Sequence, residues 1–159
     1  MIIRRAQEAD IPGLHKLLRQ VLEVHADGRP DIFKHGSVKF TNNELREMIA
    51  KGDMLIFVAA SDDAQPGELL GHLFCEAIQH KDSTNLTDIR TLYIHDLCVD
   101  ENARGQHVGT KLYDFIVTYA REHGFYNITL NVWACNEGAL RFYEARGLVP
   151  QKYGMETIL

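Results

Sequence analysis

Arg104-Gly105-Gln106-His107-Val108-Gly109 is the stretch whose residue types and spacing say most about chemistry. It lies between an apolar, strand-like run, Leu92–Val99, and an amphipathic one, Thr110–His123. A glycine-bearing loop that opens a helix presents unpaired backbone N–H groups, and the helix dipole adds partial positive charge, a combination that binds phosphate or pyrophosphate. Glycine admits positive φ and lets an anion approach the backbone. Arg104 can add a charge-assisted contact. Two nucleotide-binding patterns fail on spacing. A P-loop needs G-x-x-x-x-G-K-[ST], whereas Gly105 and Gly109 are one residue too close and Thr110-Lys111 reverses the last pair. A dinucleotide fingerprint needs G-x-G-x-x-G in an N-terminal βαβ unit, which is absent.

The Arg104–Gly109 segment resembles the Q/R-x-x-G-x-G/A pyrophosphate loop of the GNAT acyltransferase superfamily. It departs at His107, which stands where the first glycine usually lies. Asn127–Trp133, Asn136, Ala139 and Phe142-Tyr143-Glu144-Ala145-Arg146-Gly147-Leu148 resemble the family's closing strand and Asn-x-x-A-x-x-F-Y-x-x-x-G helix. Met1–Leu22 and the Met54–Gln79 strand pair with Gly71 also fall in family order, so the resemblance covers nearly the whole chain. It implies acetyl-CoA as co-substrate, lying in an opening between two central parallel strands, here Leu92–Val99 and Asn127–Trp133. Leu97 and Val99, with Cys98 between them, would run along the pantetheine arm through main-chain groups, as an added strand would. Arg104, Gly105 and the N–H groups of Gln106, His107, Val108, Gly109 and Thr110 would hold the pyrophosphate. Asn136 would orient the cofactor or cap the helix.

The resemblance also implies transfer of the acetyl group to a primary amine of a small molecule, by direct attack in a ternary complex. Tyr143 matches the tyrosine beside the CoA sulfur, where a phenol can protonate or stabilise a departing thiolate. The bland alternative is an aromatic packed beside Phe142. An alkylammonium must lose a proton before it attacks. His95, Asp96 and a water relayed through the backbone are the open candidates, histidine being the natural one near neutral pH. Neighbouring strand residues face opposite sides, so His95 and Asp96 can share a substrate only if the strand bulges. His25, Asp31 and Phe33 fall where the family shapes its acceptor site, and Asp31 could pair with an amine. Trp133 either lines that site or packs in the core. Cys98 or Cys135 could form an acyl-enzyme, but neither has an evident histidine partner. His72-x-x-Cys75 and His95-x-x-Cys98 place their side chains on opposite strand faces, so no metal site is expected.

The elements that must position these groups follow from hydrophobic periodicity. Met1–Arg5 reads as a strand. Asp10 reads as an N-cap ahead of Pro12, and Leu14, Leu17, Leu18, Val21 and Leu22 form one helical face. His25–Phe40 reads as a loop. Thr41-Asn42-Asn43-Glu44 is a capping-box pattern for a helix ending near Lys51-Gly52. Met54–Ser61 and Leu69–Gln79 read as strands around a Pro66-Gly67 turn. Glu137–Arg146 reads as a helix closed by Gly147, and Val149–Leu159 as a last strand or two. The expected fold is α/β: a mixed, mostly antiparallel sheet, splayed between two central parallel strands and flanked by helices.

The chain has 159 residues, 45% hydrophobic and 25% charged, which suits one globular domain over 1–159. Its net charge of −5 disfavours nucleic-acid binding and is compatible with a cationic substrate. Three cysteines make no disulfide framework. With neither a signal peptide nor a membrane-spanning run apparent, the reading is a cytoplasmic protein with no membrane partner. A homodimer through the C-terminal strands is implied by the resemblance. A protein or peptide acetyltransferase and a non-catalytic acyl-CoA-binding module are the alternatives.

Overall fold

The computed structural model describes residues 1–159. Five strands, β1 (Ile2–Arg5), β2 (Met54–Ala60), β3 (Gly71–Gln79), β4 (Arg90–Val99) and β5 (Asn127–Leu130), form one sheet in that spatial order. The first three junctions are antiparallel and β4 pairs β5 in parallel. Helices α1 (Ile11–Gly28) and α2 (Asn42–Lys51) precede β2, while α3 (Val108–Glu122) and α4 (Glu137–Glu144) flank β5 in sequence. This is the expected mixed sheet between helices. No helix is long and apolar enough to cross a membrane.

Alternation along β2 and β3 feeds two cores. Phe57, Ala59, Leu73 and Cys75 pack with Leu112 and Ile116 of α3, whereas Ile56, Val58 and Phe74 pack with Leu14, Leu17 and Leu18 of α1 and Leu45 of α2. Each large side chain removed from water contributes roughly 1.5–3 kcal/mol, so both sheet faces are sealed. The capping box forms: Glu44 N donates to Thr41 Oγ1 at 3.2 Å, and Thr41 N donates to Glu44 Oε2 at 2.6 Å. Gly52, at φ 73°, ends α2.

Four expectations are corrected. Asp10 does not cap α1; its buried carboxylate takes both Arg4 guanidinium nitrogens, at 2.7 and 2.9 Å, and the Gln7 N–H at 2.8 Å. Helix α1 does not stop before His25 but runs on to Gly28, because Ala26 is fully buried and Arg29 N closes the last turn on His25 O. Strand β5 stops at Leu130, not Trp133, after its last pair with Ile94. Val149–Leu159 forms no strand: every residue in it is exposed, and an Arg29–Glu156 ion pair ties it beside the end of α1. Pro150 lacks a donor and Gly154 weakens strand formation, so this segment is poorly made for a ladder.

Candidate active site

The site is built where β4 outlasts β5. Their pairing ends at Ile94–Leu130, while β4 continues to Val99. On its other side β4 stays paired to β3, and Asp100 N donates to Leu70 O at 2.9 Å. Antiparallel pairing alternates, so Asp96 and Cys98 turn their main-chain groups to β3. Leu97 and Val99 turn theirs toward the gap left by β5. Of the predicted arm-binding residues, Leu97 and Val99 therefore face the opening. Cys98 does not; its thiol donates to Leu17 O at 3.4 Å.

A bulge interrupts β4. Phe74 faces Asp96 and Cys75 faces Ile94, which leaves His95 as the extra residue. Side chains on the two flanks then exchange faces: Leu92 and Ile94 belong to the α3 core, whereas Cys98 belongs to the α1 core. The bulge brings His95 and Asp96 to the same side of the sheet. His95 Nε2 lies 2.7 Å from Glu76 Oε2, with the ring edge-on to Tyr93. Asp96 is buried, with Lys39 Nζ 2.8 Å from Oδ2. His72 Nε2 lies 3.4 Å from Oδ1, off line for a hydrogen bond, so neither ring nitrogen of this buried histidine is hydrogen-bonded. Burial works against the charge on Asp96, but His72 and Lys39 outweigh it and hold the carboxyl at about 2. A carboxylate so held is too weak a base for an alkylammonium; it is a fixed negative charge.

At the C-terminal end of β4 the chain passes through Gly105 at φ 75° and His107 at φ 60° before α3 begins. His107 adopts the left-handed backbone that the family's glycine would favour, at a cost of about 1 kcal/mol. Lys111 N to His107 O is the first bond of α3, which leaves the N–H groups of Gly105 through Thr110 free of backbone partners. A Cβ on Gly105 would meet nothing within 4 Å. Gly109 serves packing instead, since a Cβ there would lie 3.3 Å from both Phe142 and Val99. Arg146 was legible only as the end of a helix, yet it reaches this loop. Its guanidinium stacks 3.8 Å from the Phe142 ring centre and donates to Thr110 Oγ1, with no carboxylate paired to it. Arg104, at the start of the same loop, is exposed. Free N–H groups, a helix N-terminus and two cations fit a pyrophosphate.

Tyr143, on α4, is buried against Tyr113 and Phe142. Burial pushes its phenol well above the ordinary value, and the charge of Asp96 adds to the effect, so the hydroxyl is neutral. Asn136 caps α4, accepting from Ala139 N at 3.1 Å.

Three of the predicted acceptor-side residues meet. Phe33 lies 5.1 Å from His25 and 5.0 Å, edge-on, from Trp133. Trp133 is on the loop after β5 and is 40% exposed, which makes it a wall rather than core. Gly28 permits this closure: a Cβ there would lie 2.5 Å from Cys135 Sγ. Burial lowers the His25 imidazole below its ordinary value; Asp96 opposes the shift and Lys39 adds to it. Asp31 is not available to an amine, because Arg29 grips it at 2.7 and 2.9 Å. Cys75 and Cys98 are not poised as nucleophiles, because burial pushes Cys98 up to about 12 and raises Cys75 further; Cys135 is exposed and no histidine is hydrogen-bonded to it.

The acetyltransferase (GNAT) family model matches residues 18–148. Among solved structures, a tetramutant of the BH1408 protein from Bacillus halodurans superposes with a TM-score of 0.92 at 30% identity, over 100% of both chains. Glucosamine-6-phosphate N-acetyltransferase from Arabidopsis thaliana gives 0.69 at 21% identity, over 99% of this chain and 97% of that one. An aminoglycoside acetyltransferase, meta-AAC0020, from an uncultured soil metagenomic sample and in complex with sisomicin, gives 0.71 at 22%, over 99% and 95%. These last two are likenesses of fold. No curated protein matches the chain. The family match runs from the middle of α1 to the turn after α4 and so takes in both strands of the opening and the helices around it; the chain belongs to the GNAT family of acetyltransferases.

Proposed function

We propose that this protein moves an acetyl group from acetyl-CoA to a primary amine of a small molecule, by direct attack within a ternary complex. The observation that carries the reading is the parting of β4 from β5 after Ile94 and Leu130, with Leu97 and Val99 open along it and the free N–H groups of 105–110 at its end. When bound, acetyl-CoA supplies an acetyl group activated as a thioester. Leu97 and Val99 hold the arm through main-chain groups and polarise the carbonyl oxygen. The Gly105–Thr110 N–H groups, with Arg104 and Arg146, hold the pyrophosphate. His95 accepts the amine's proton on Nδ1, with Nε2 turned to Glu76 Oε2. A C–N bond forms, the C–S bond breaks, and the Tyr143 hydroxyl donates to the sulfur as it leaves. His25, Phe33 and Trp133 wall the acceptor.

The homodimer implied by the resemblance would cover Tyr153, Met155, Ile158 and Leu159, which the C-terminal segment exposes.

The test is mass-spectrometric detection of CoA and acetylated product across alkylamines, aminosugars, amino acids and peptides. Acetylation of small amines is the expected result. Acetylation confined to peptides would make the chain a protein acetyltransferase. Acetyl-CoA binding without turnover on any amine would leave an acyl-CoA-binding module.

A further inference from the structure

Lys39, near the end of the α1–α2 connection, reaches a carboxylate on β4. Its Nζ lies 2.8 Å from Asp96 Oδ2; the Asp96 side chain is 5% exposed and that of Lys39 32%. The two ends of the pair are therefore unequal. Asp96 is fixed on β4 and sealed from water, so leaving it without a counter-ion is costly. Lys39 is a point charge on a flexible four-carbon stem that is partly in solvent, and it can leave. Beside the carboxylate stand His72 and Phe74 from β3, and the only cation hydrogen-bonded to it is Lys39. Helix α1 lies across the face of β4 that carries Asp96 and Cys98, since the Cys98 thiol donates to Leu17 O, and His25 of the aromatic wall stands about two turns further along that helix.

We propose that Lys39 is an internal stand-in for the acceptor's ammonium: the acceptor binds by exchanging with Lys39 at Asp96, while its body packs on His25, Phe33 and Trp133. The acceptor class this selects is an ammonium carried on an apolar or aromatic body. Exchange keeps Asp96 neutralised throughout. A neutral molecule of the same shape gains the aromatic wall but cannot replace Lys39, and an anion is repelled. The location of the acceptor rests on the acetyl-transfer reading, but the exchange can be measured without transfer.

Trp133 is the chain's single tryptophan, so its fluorescence reports occupancy of the wall directly. Purified protein is titrated with 2-phenylethylamine and, as the uncharged control, 2-phenylethanol, in the absence of acetyl-CoA. Lys39→Met should bind the amine at least ten-fold more tightly than the wild type and the alcohol with unchanged affinity. Adding Asp96→Asn to Lys39→Met should abolish the preference for the amine. Lys39→Arg keeps the ion pair, and with it the fold, but grips Asp96 through two nitrogens; it should bind the amine several-fold more weakly than the wild type. Failure of the wild type to bind the amine, equal gains for amine and alcohol in Lys39→Met, or unaltered affinity in Lys39→Arg would each overturn the exchange. Parallel CoA-release assays separate the two readings. Turnover that ignores Lys39 would sink the exchange alone, and exchange without turnover on any amine would sink acetyl transfer alone.

Discussion

Tyr143 and Asp96 sit on opposite sides of one electrostatic problem. A thiol ionises near 8.5 in water, whereas burial and nearby negative charge raise the Tyr143 phenol. Complete proton transfer from phenol to thiolate is therefore uphill, so the role proposed for Tyr143 is a hydrogen bond donated to sulfur as charge builds on it. Tyr143→Phe should lower kcat about ten-fold or more and leave the Kd of acetyl-CoA within two-fold, as calorimetry and steady-state kinetics would show. Near-normal kcat would remove Tyr143 from this role. Asp96, held at about 2 against an ordinary 3.8, is ionised at every working pH. A folded value below the unfolded one means its stabilisation is fully present above about pH 4 and is lost as pH falls toward 2. Urea unfolding should show stability declining through that window, by about 2 kcal/mol from this group. Asp96→Asn should flatten part of the decline; an identical acid limb in that variant would contradict the assignment.

Short local motifs set most elements, and those were readable. The capping box of α2, the alternation of β2 and β3 and the Gly147 stop after α4 all express neighbours in sequence. What could not be read was set by distant partners. The β4 bulge depends on a slip against Phe74 and Cys75 that no pattern within Leu92–Val99 announces. Asp10 looked like a cap because its neighbours suit one, but Arg4 claims it across the turn that joins β1 to α1. Breaking this half-buried pair by Arg4→Met leaves the buried Asp10 carboxylate without its cation and should cost about 3 kcal/mol in urea unfolding. A loss below about 0.5 kcal/mol would mean that the Gln7 N–H alone suffices. At the start of α3, His107 carries a Cβ where the backbone is left-handed. His107→Gly should raise stability by up to about 1 kcal/mol without weakening acetyl-CoA binding, whereas lost binding would give the imidazole a direct part in the phosphate site.

Two cores flank the sheet, and the opening forms where one strand leaves it. The order of strands and helices along the chain and the glycine-bearing loop before α3 were legible because each is written in neighbouring residues. The acceptor side was legible only in part: His25, Phe33 and Trp133 converge, but Asp31 is held by Arg29, and Lys39 comes from a segment that carries no motif; at the other end of the opening, Arg146 reaches the Thr110 loop from an unspecified position of the closing motif. The site is thus a product of the whole fold, with its charges supplied by residues far apart in sequence. Acetyl transfer as proposed requires that the β4–β5 opening and the Gly105–Thr110 N–H groups receive acetyl-CoA. Calorimetric titration of acetyl-CoA into the wild type and Arg104→Glu, an exposed substitution outside both cores, measures that binding. Micromolar binding by the wild type, weakened about ten-fold by Arg104→Glu and further by added salt, is the predicted result. No heat of binding in well-folded wild type, or equal affinity in both proteins, would contradict it.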